Sequence, residues 1–224
     1  AAAEIVKLIR KAAANKALIV ATRDYHPIDH CSFNTHGGPF PPHCVQGSKG
    51  ALFFDPIEKA LVTARSEQGG DVRVVFKGFA APVDSFGGVT YPEQYFNDRH
   101  LGKDPNEVCH GCSAVQWTGS FNLKCSNIAE DINAPPDVLA VFDRETLADV
   151  LQKASIKRLF VVGLALDFCV LDTALNAAAS KVASGGVYMV VDAARAAHIP
   201  GVGGFGTGFL SDPKEIVKKI KGIG

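Results

Sequence analysis

Apolar residues along this chain follow two patterns that alternate. Ile5, Leu8, Ile9 and Ala12 recur at helical spacing, and the run 17–22 that follows is apolar without alternation. This predicts a helix and then a buried strand. Similar continuous runs recur at 72–76, 159–166 and 187–191; unbroken hydrophobicity marks strands covered on both faces, as in a parallel sheet. Between the strands, Leu147, Val150, Leu151 and Ala154 line one face of a helix that Asp143 is placed to cap, and 169–182 is Ala-rich and helix-compatible. The order is α/β throughout, and a single domain over residues 1–224 is expected.

Two segments break the rhythm. Residues 31–50 are rich in Gly, Pro and His and follow directly on a strand end, where doubly wound sheets place their ligand-binding loops. Residues 84–137 lack clear periodicity and exceed an ordinary connection, so their central part, 89–137, reads as an insertion or lid. The Gly-rich stretch 201–208 lacks the strand-to-helix context and later acidic residue of a dinucleotide loop and reads as a plain loop.

Composition narrows the function classes. With 47% apolar and 21% charged residues the chain has an ordinary globular balance. The 23 basic and 23 acidic residues cancel, and no basic run exceeds Lys218-Lys219, which argues against nucleic acid and for a small, weakly polar ligand. No apolar stretch reaches the ~20 residues of a membrane helix, and the start lacks a secretory pattern, so a cytoplasmic location is expected. The six cysteines stand beside histidines and carboxylates, which favours metal binding and nucleophilic chemistry over disulfides.

Asp24 and His26 emerge together just after the first strand, and His43 lies within loop-closing distance. An Asp/His/His set with open positions suits one divalent metal, zinc first, with iron or manganese as alternatives. His30 is either a fourth ligand, a residue that orients a ligand, or a solvent-facing side chain. Cys169 follows the 159–166 strand and opens a helix, an environment expected to favour its thiolate, and Lys77 at the end of another strand is a candidate neighbouring cation. No organic cofactor is called for.

Four segments resemble the nicotinamidase branch of the isochorismatase-like cysteine hydrolases, in order: Ala21-Thr22-Arg23-Asp24-Tyr25-His26-Pro27 with His30 and Ser32-Phe33, Pro41-Pro42-His43-Cys44-Val45-Gln46-Gly47, Phe76-Lys77-Gly78, and Val162-Gly163-Leu164-Ala165-Leu166-Asp167-Phe168-Cys169-Val170. The resemblance implies a three-layer αβα fold with a doubly wound, mostly parallel sheet, and often a homo-oligomer. It implies that nicotinamide, or an analogue such as pyrazinamide, is converted to the acid and ammonia in NAD salvage. Cys169 would attack the carboxamide, with Lys77 the catalytic lysine. Backbone N–H groups of Ala165 and Cys169 would hold the oxyanion, with a cis peptide between Leu164 and Ala165. Phe40 stands where the family usually has a tryptophan against the substrate ring, and Leu164 is a further substrate-binding candidate.

Related isochorismatases and ureido- or carbamoyl-hydrolases share the Lys and Cys positions but generally lack the metal motif; a catalytically silent metal- or pyridine-binding module is the rival from another class. Cys109-His110-Gly111-Cys112, with Cys125 and His100 nearby, has the spacing of a second, structural zinc site. The resemblance also places the carboxylate that activates the cysteine on a first strand, which is expected ahead of Ala1, because Asp55 and Asp192 each follow segments that put them elsewhere.

Overall fold

The computed structural model describes residues 1–67, 69–78, 81, 84, 86–89, 91, 121–123, 147–206 and 208–221. Helix α1 (Ala2–Ala14) leads into strand β1 (Ile19–Asp24); helix α2 (Asp55–Ser66) leads into strand β2 (Val72–Lys77). A short strand β3 (Phe121–Leu123) precedes helix α3 (Leu147–Lys153) and strand β4 (Leu159–Leu164). A π-helical turn (Leu166–Val170) then opens into helix α4 (Leu171–Ala179), followed by strand β5 (Val187–Arg195) and helix α5 (Pro213–Lys221).

The period-2 geometry of β2 separates the layers. Val72, Val74 and Phe76 face the core formed with Ile9 and Ala13 of α1 and Ala60, Leu61 and Ala64 of α2. Val75 faces the opposite way, into a core with Leu147 and Leu151 of α3 and Ala177 of α4. Helices therefore lie on both sides of the strand, as the three-layer reading requires. β1 pairs with β2 in parallel, with Arg23 beside Phe76 and Asp24 beside Lys77. The first pair points to the α1/α2 side. There the Arg23 guanidinium, 4% exposed, lies 4.8 Å from the Phe76 ring centre, and its Nε and Nη2 donate to the Ala51 carbonyl oxygen at 2.9 and 2.6 Å. The second pair points the other way, toward the turn that holds Cys169.

The strands differ from the sequence reading in two respects. The described strands form two hydrogen-bonded sets, β1–β2–β3 and β4–β5, and β3 runs antiparallel to β2; a three-residue strand is too short for alternation to reveal. Only β2 is covered almost throughout. Phe160 and Leu164 of β4 and Val191 of β5 are 55%, 65% and 58% exposed. The second core, in which Leu18 and Val20 pack near Leu159 and Val187, joins the two sets.

The proposed lid at 89–137 lies outside the described residues apart from Val89, Tyr91 and β3, and the Cys109, Cys112, Cys125 and His100 cluster and the Asp143 cap lie wholly outside them. No helix among the described residues is long and apolar enough to cross a membrane. The 201–208 stretch forms turns and isolated bridges where described.

Candidate active site

Three strand ends meet. The parallel register puts Asp24 and Lys77 side by side at the C-terminal ends of β1 and β2, and the turn after β4 brings Cys169 to them. The Lys77 Nζ donates to Asp24 Oδ1 and, at 3.3 Å, to Cys169 Sγ. Lys77 is 3% exposed. Burial opposes its charge, but Asp24 and Cys169 outweigh that and hold the amine well above its ordinary value. Burial likewise works against charge on Asp24, yet Lys77 and His26 together hold its carboxyl below the usual range. The two groups therefore stay an ion pair at neutral pH.

Cys169 departs from the expectation of a ready thiolate. Burial pushes its thiol up to about 11; Lys77 works in the opposite direction and Asp24 reinforces the rise. Cys169 sits in the π turn between β4 and α4, the strand-to-helix turn that the sequence predicts. The Cys169 sulfur already accepts a hydrogen bond from Lys77.

On the other side of Asp24 lie the histidines. An isolated bridge ties His26 to Val45: the His26 N–H donates to the Cys44 carbonyl at 3.0 Å and the Gln46 N–H to the His26 carbonyl at 2.9 Å. That bridge delivers His43 to a ring distance of 4.9 Å from His26. Asp24, His26 and His43 each offer a ligand atom within 4.8 Å of the others. His26 Nδ1 lies 2.9 Å from the Gly78 carbonyl oxygen and His43 Nδ1 2.8 Å from that of Pro41. A carbonyl can only accept, so both rings carry their proton on Nδ1 and leave the Nε2 lone pair for a cation. His26 Nε2 and Asp24 Oδ2 are 3.8 Å apart, near the roughly 3.4 Å between two ligands bound at ~2.1 Å in a tetrahedral site. The donor set fits a divalent ion.

His30 is arranged differently. Its Nδ1 accepts from the Ser32 N–H at 3.3 Å and lies 2.8 Å from Ser32 Oγ, which puts the ring proton on Nε2. The ring is fully buried and stacks at 4.1 Å on His26; His26, His30 and Asp84 form a second group of closely spaced ligand atoms.

Gly78 is the residue whose role the sequence did not disclose. It has φ +71°, and a Cβ there would stand 2.4 Å from His26 Cε1, so a side chain would displace the ring that the Gly78 carbonyl orients. Gly38 has a similar part in the Phe33–Phe40 bridge, where a Cβ would overlap the Ser32 backbone at 2.2 Å. Phe40 is half-buried, its ring 5.6 Å from both His43 and Phe168. Phe168 continues to Phe86 at 5.1 Å. This aromatic wall beside Cys169 extends well beyond Phe40, and only the adjacency of Phe168 to Cys169 hinted at it in sequence. Leu164 ends β4 with its side chain exposed, and the Leu164–Ala165 peptide is cis, as expected. Asp55 begins α2 and Asp192 lies in β5, both exposed. Cys31, Cys44 and Cys169 are free thiols.

Burial lowers the His26 imidazole from 6.5 to about 4, against the opposing pull of Asp24. The unfolded chain thus takes up this proton near pH 6.5 and the folded chain only near pH 4. The stability from keeping His26 neutral is complete above pH 6.5 and lost as pH falls through that window, in total about 3 kcal/mol. Denaturant titrations of chelator-treated protein from pH 7 to pH 4.5 are expected to show this decline, and a flat profile would contradict the burial of a neutral ring.

No protein-family model matches the chain. The nicotinamidase of Acinetobacter baylyi is 27% identical over 199 residues, which cover 82% of this chain and 65% of that protein; the chain thus spans just under two thirds of that relative's length. Among solved structures, the PnC1 protein of L. infantum in complex with nicotinate superposes with a TM-score of 0.53 at 24% identity, over 97% of this chain and 76% of that one. The pyrazinamidase of Pyrococcus horikoshii in complex with zinc gives 0.51 at 22% identity, over 99% and 81%. The chain has the α/β fold of these nicotinamidases and pyrazinamidases.

Proposed function

We propose that this chain carries the catalytic site of a metal-dependent cysteine amidohydrolase that converts nicotinamide, and analogues such as pyrazinamide, to the free acid and ammonia, within NAD salvage. The observation that carries the reading is the sharing of Asp24. Its Oδ1 accepts from the lysine that also contacts the Cys169 sulfur, and its Oδ2 faces His26 on the metal side. One carboxylate couples a nucleophile to a cation-binding trio within a single crevice. The nicotinamidase and pyrazinamidase likenesses support the same reaction class.

In this reading the Cys169 sulfur attacks the carboxamide carbon, and the new S–C bond turns the carbonyl oxygen into an oxyanion held by the N–H groups of Ala165 and Cys169. The C–N bond then breaks, and in net balance the thiol proton leaves with the departing amine as ammonia. Water cleaves the thioester to the free acid and restores the thiol. Lys77 stabilises the sulfur as its charge develops, and Asp24 keeps Lys77 protonated and in place. Asp24, His26 and His43 would hold one divalent ion, zinc first by their donor chemistry. Bound there, it would supply Lewis-acid chemistry toward the nitrogen of the substrate ring. His30 supports His26 by ring contact at 4.1 Å. The Phe40–Phe168–Phe86 wall receives the flat face or edge of the substrate ring.

The test pairs metal analysis with ammonia release. The full-length protein as purified is expected to hold one metal per chain in this site and to release ammonia from nicotinamide. His43→Ala is expected to lower metal affinity by at least ~100-fold, beyond the loss seen when only a supporting residue is changed, and most activity with it. Full metal occupancy with intact turnover in His43→Ala would sink the ligand assignment, and an active wild-type protein without metal would move the reading toward the metal-free hydrolases.

A further inference from the structure

The helix behind the nucleophile carries a second polar cluster that this reaction leaves unused. Asp172, Thr173 and Asn176 occupy one face of α4, and all three reach the segment 86–91. Tyr91 Oη donates to Asp172 Oδ2 at 2.5 Å, the Gly88 N–H donates to Thr173 Oγ1 at 2.8 Å, and Asn176 Nδ2 donates to the Val89 carbonyl at 2.9 Å. The Tyr91 hydroxyl also accepts the N–H groups of Phe86 at 3.1 Å and Gly87 at 3.0 Å. Its proton and both lone pairs are therefore committed. Tyr91, Asp172 and Asn176 are 3%, 0% and 1% exposed. The fit is close: a Cβ on Gly87 would stand 2.6 Å from Asn176 Nδ2.

A buried carboxylate and phenol are an expensive way to attach a loop, since apolar contacts of similar volume commonly do as well for stability. What a buried polar node with directional hydrogen bonds adds is a unique orientation. The backbone it fixes, Phe86 and Gly87, carries the Phe86 ring onto Phe168 at 5.1 Å, and Phe168 directly precedes Cys169. The node spans from the helix that follows Cys169 to the far end of the aromatic wall.

We infer that Asp172 and Tyr91 are positioning residues: through the Phe86 and Gly87 backbone they hold the Phe86 ring as a preformed side of the crevice, ready for an aromatic amide. The inference rests on the amidase reading above. A wall set in advance lowers the ordering cost of binding, so its loss falls on KM rather than on the chemical step. The test is steady-state kinetics on nicotinamide with Tyr91→Phe, Asp172→Leu and Asp172→Asn, with rates expressed per Cys169 thiol titrated so that any misfolded fraction drops out. Tyr91→Phe and Asp172→Leu are expected to raise KM ~10-fold, the scale of one lost buried hydrogen bond to a charged group, with kcat within ~3-fold of wild type. Asp172→Asn keeps an acceptor oxygen for Tyr91 and is expected to restore KM to within ~2-fold. If Asp172→Leu does not fold, Tyr91→Phe and Asp172→Asn carry the comparison. An unchanged KM in Tyr91→Phe despite a lowered Tm, or Asp172→Asn as damaging as Asp172→Leu, would overturn the positioning role alone. A wild-type protein that releases no ammonia from nicotinamide overturns the amidase reading, and this inference falls with it.

Discussion

Cys169→Ala is expected to release ammonia from nicotinamide ~10⁵-fold more slowly than the unmodified protein, the scale on which loss of an enzyme's nucleophile is felt, while it retains its metal. Of the three described thiols, Cys169 is the one whose sulfur accepts from Lys77. The substitution removes one sulfur from a half-buried position, so stability should change little. Mass spectrometry of acid-quenched reactions supplies the second half of the check: the unmodified protein should carry a nicotinoyl group on Cys169 and the variant none. Turnover that survives in Cys169→Ala would mean that the crevice uses another nucleophile.

Lys77→Met has the other large effect, because it acts on catalysis and folding together. Methionine keeps most of the stem but removes the charge between Asp24 and Cys169. Without Lys77, the largest influence that lowers the Asp24 carboxyl disappears and burial, which raises it, prevails. Breaking a buried ion pair by removing one partner costs about 3–5 kcal/mol, and the fifth of the Asp24 side chain that reaches solvent places this case at the lower end. The sign follows from linkage. In the unmodified protein the Asp24 contribution is present above the unfolded carboxyl value near 3.8 and lost as pH falls through the lower folded value. In the variant the carboxyl takes up a proton more readily, which relieves the unpaired charge. The stability gap between the two proteins should therefore be widest at neutral pH and narrow toward pH 4. A divalent ion at Asp24 should recover part of the stability but not the rate, which is expected to fall ~10³-fold. Denaturation at pH 7 and pH 4, with and without metal, checks the pattern, and a variant as stable and as active as the parent would remove Lys77 from the site.

Local pattern alone determined much of this protein. Continuous apolar runs located β1, β2, β4 and β5, and in β2 the run matches a strand covered on both faces. Helical spacing located α1 and α3. Ordered motifs marked Asp24, His26, His43, Lys77 and Cys169, whose chemistry depends on residue type as much as on position. Other properties belong to relations between distant segments. The Asp24–Lys77 contact follows from parallel register between residues 53 positions apart, and no single segment encodes its neighbour's register. Lys77 and Phe76 point to opposite sides only because the strand alternates, so the lysine meets Cys169 while the phenylalanine meets Arg23. The high pKa of Cys169 is likewise a tertiary property. Sequence suggests a thiol beside a helix start and a cation, but the energy of its charged form is set by how much water is excluded around it, and that depends on the surrounding packing. The tautomers of His26, His43 and His30 are decided by the carbonyl or N–H that the fold sets against each Nδ1. The Tyr91–Asp172 node joins residues 81 positions apart, a pairing that neither local segment encodes.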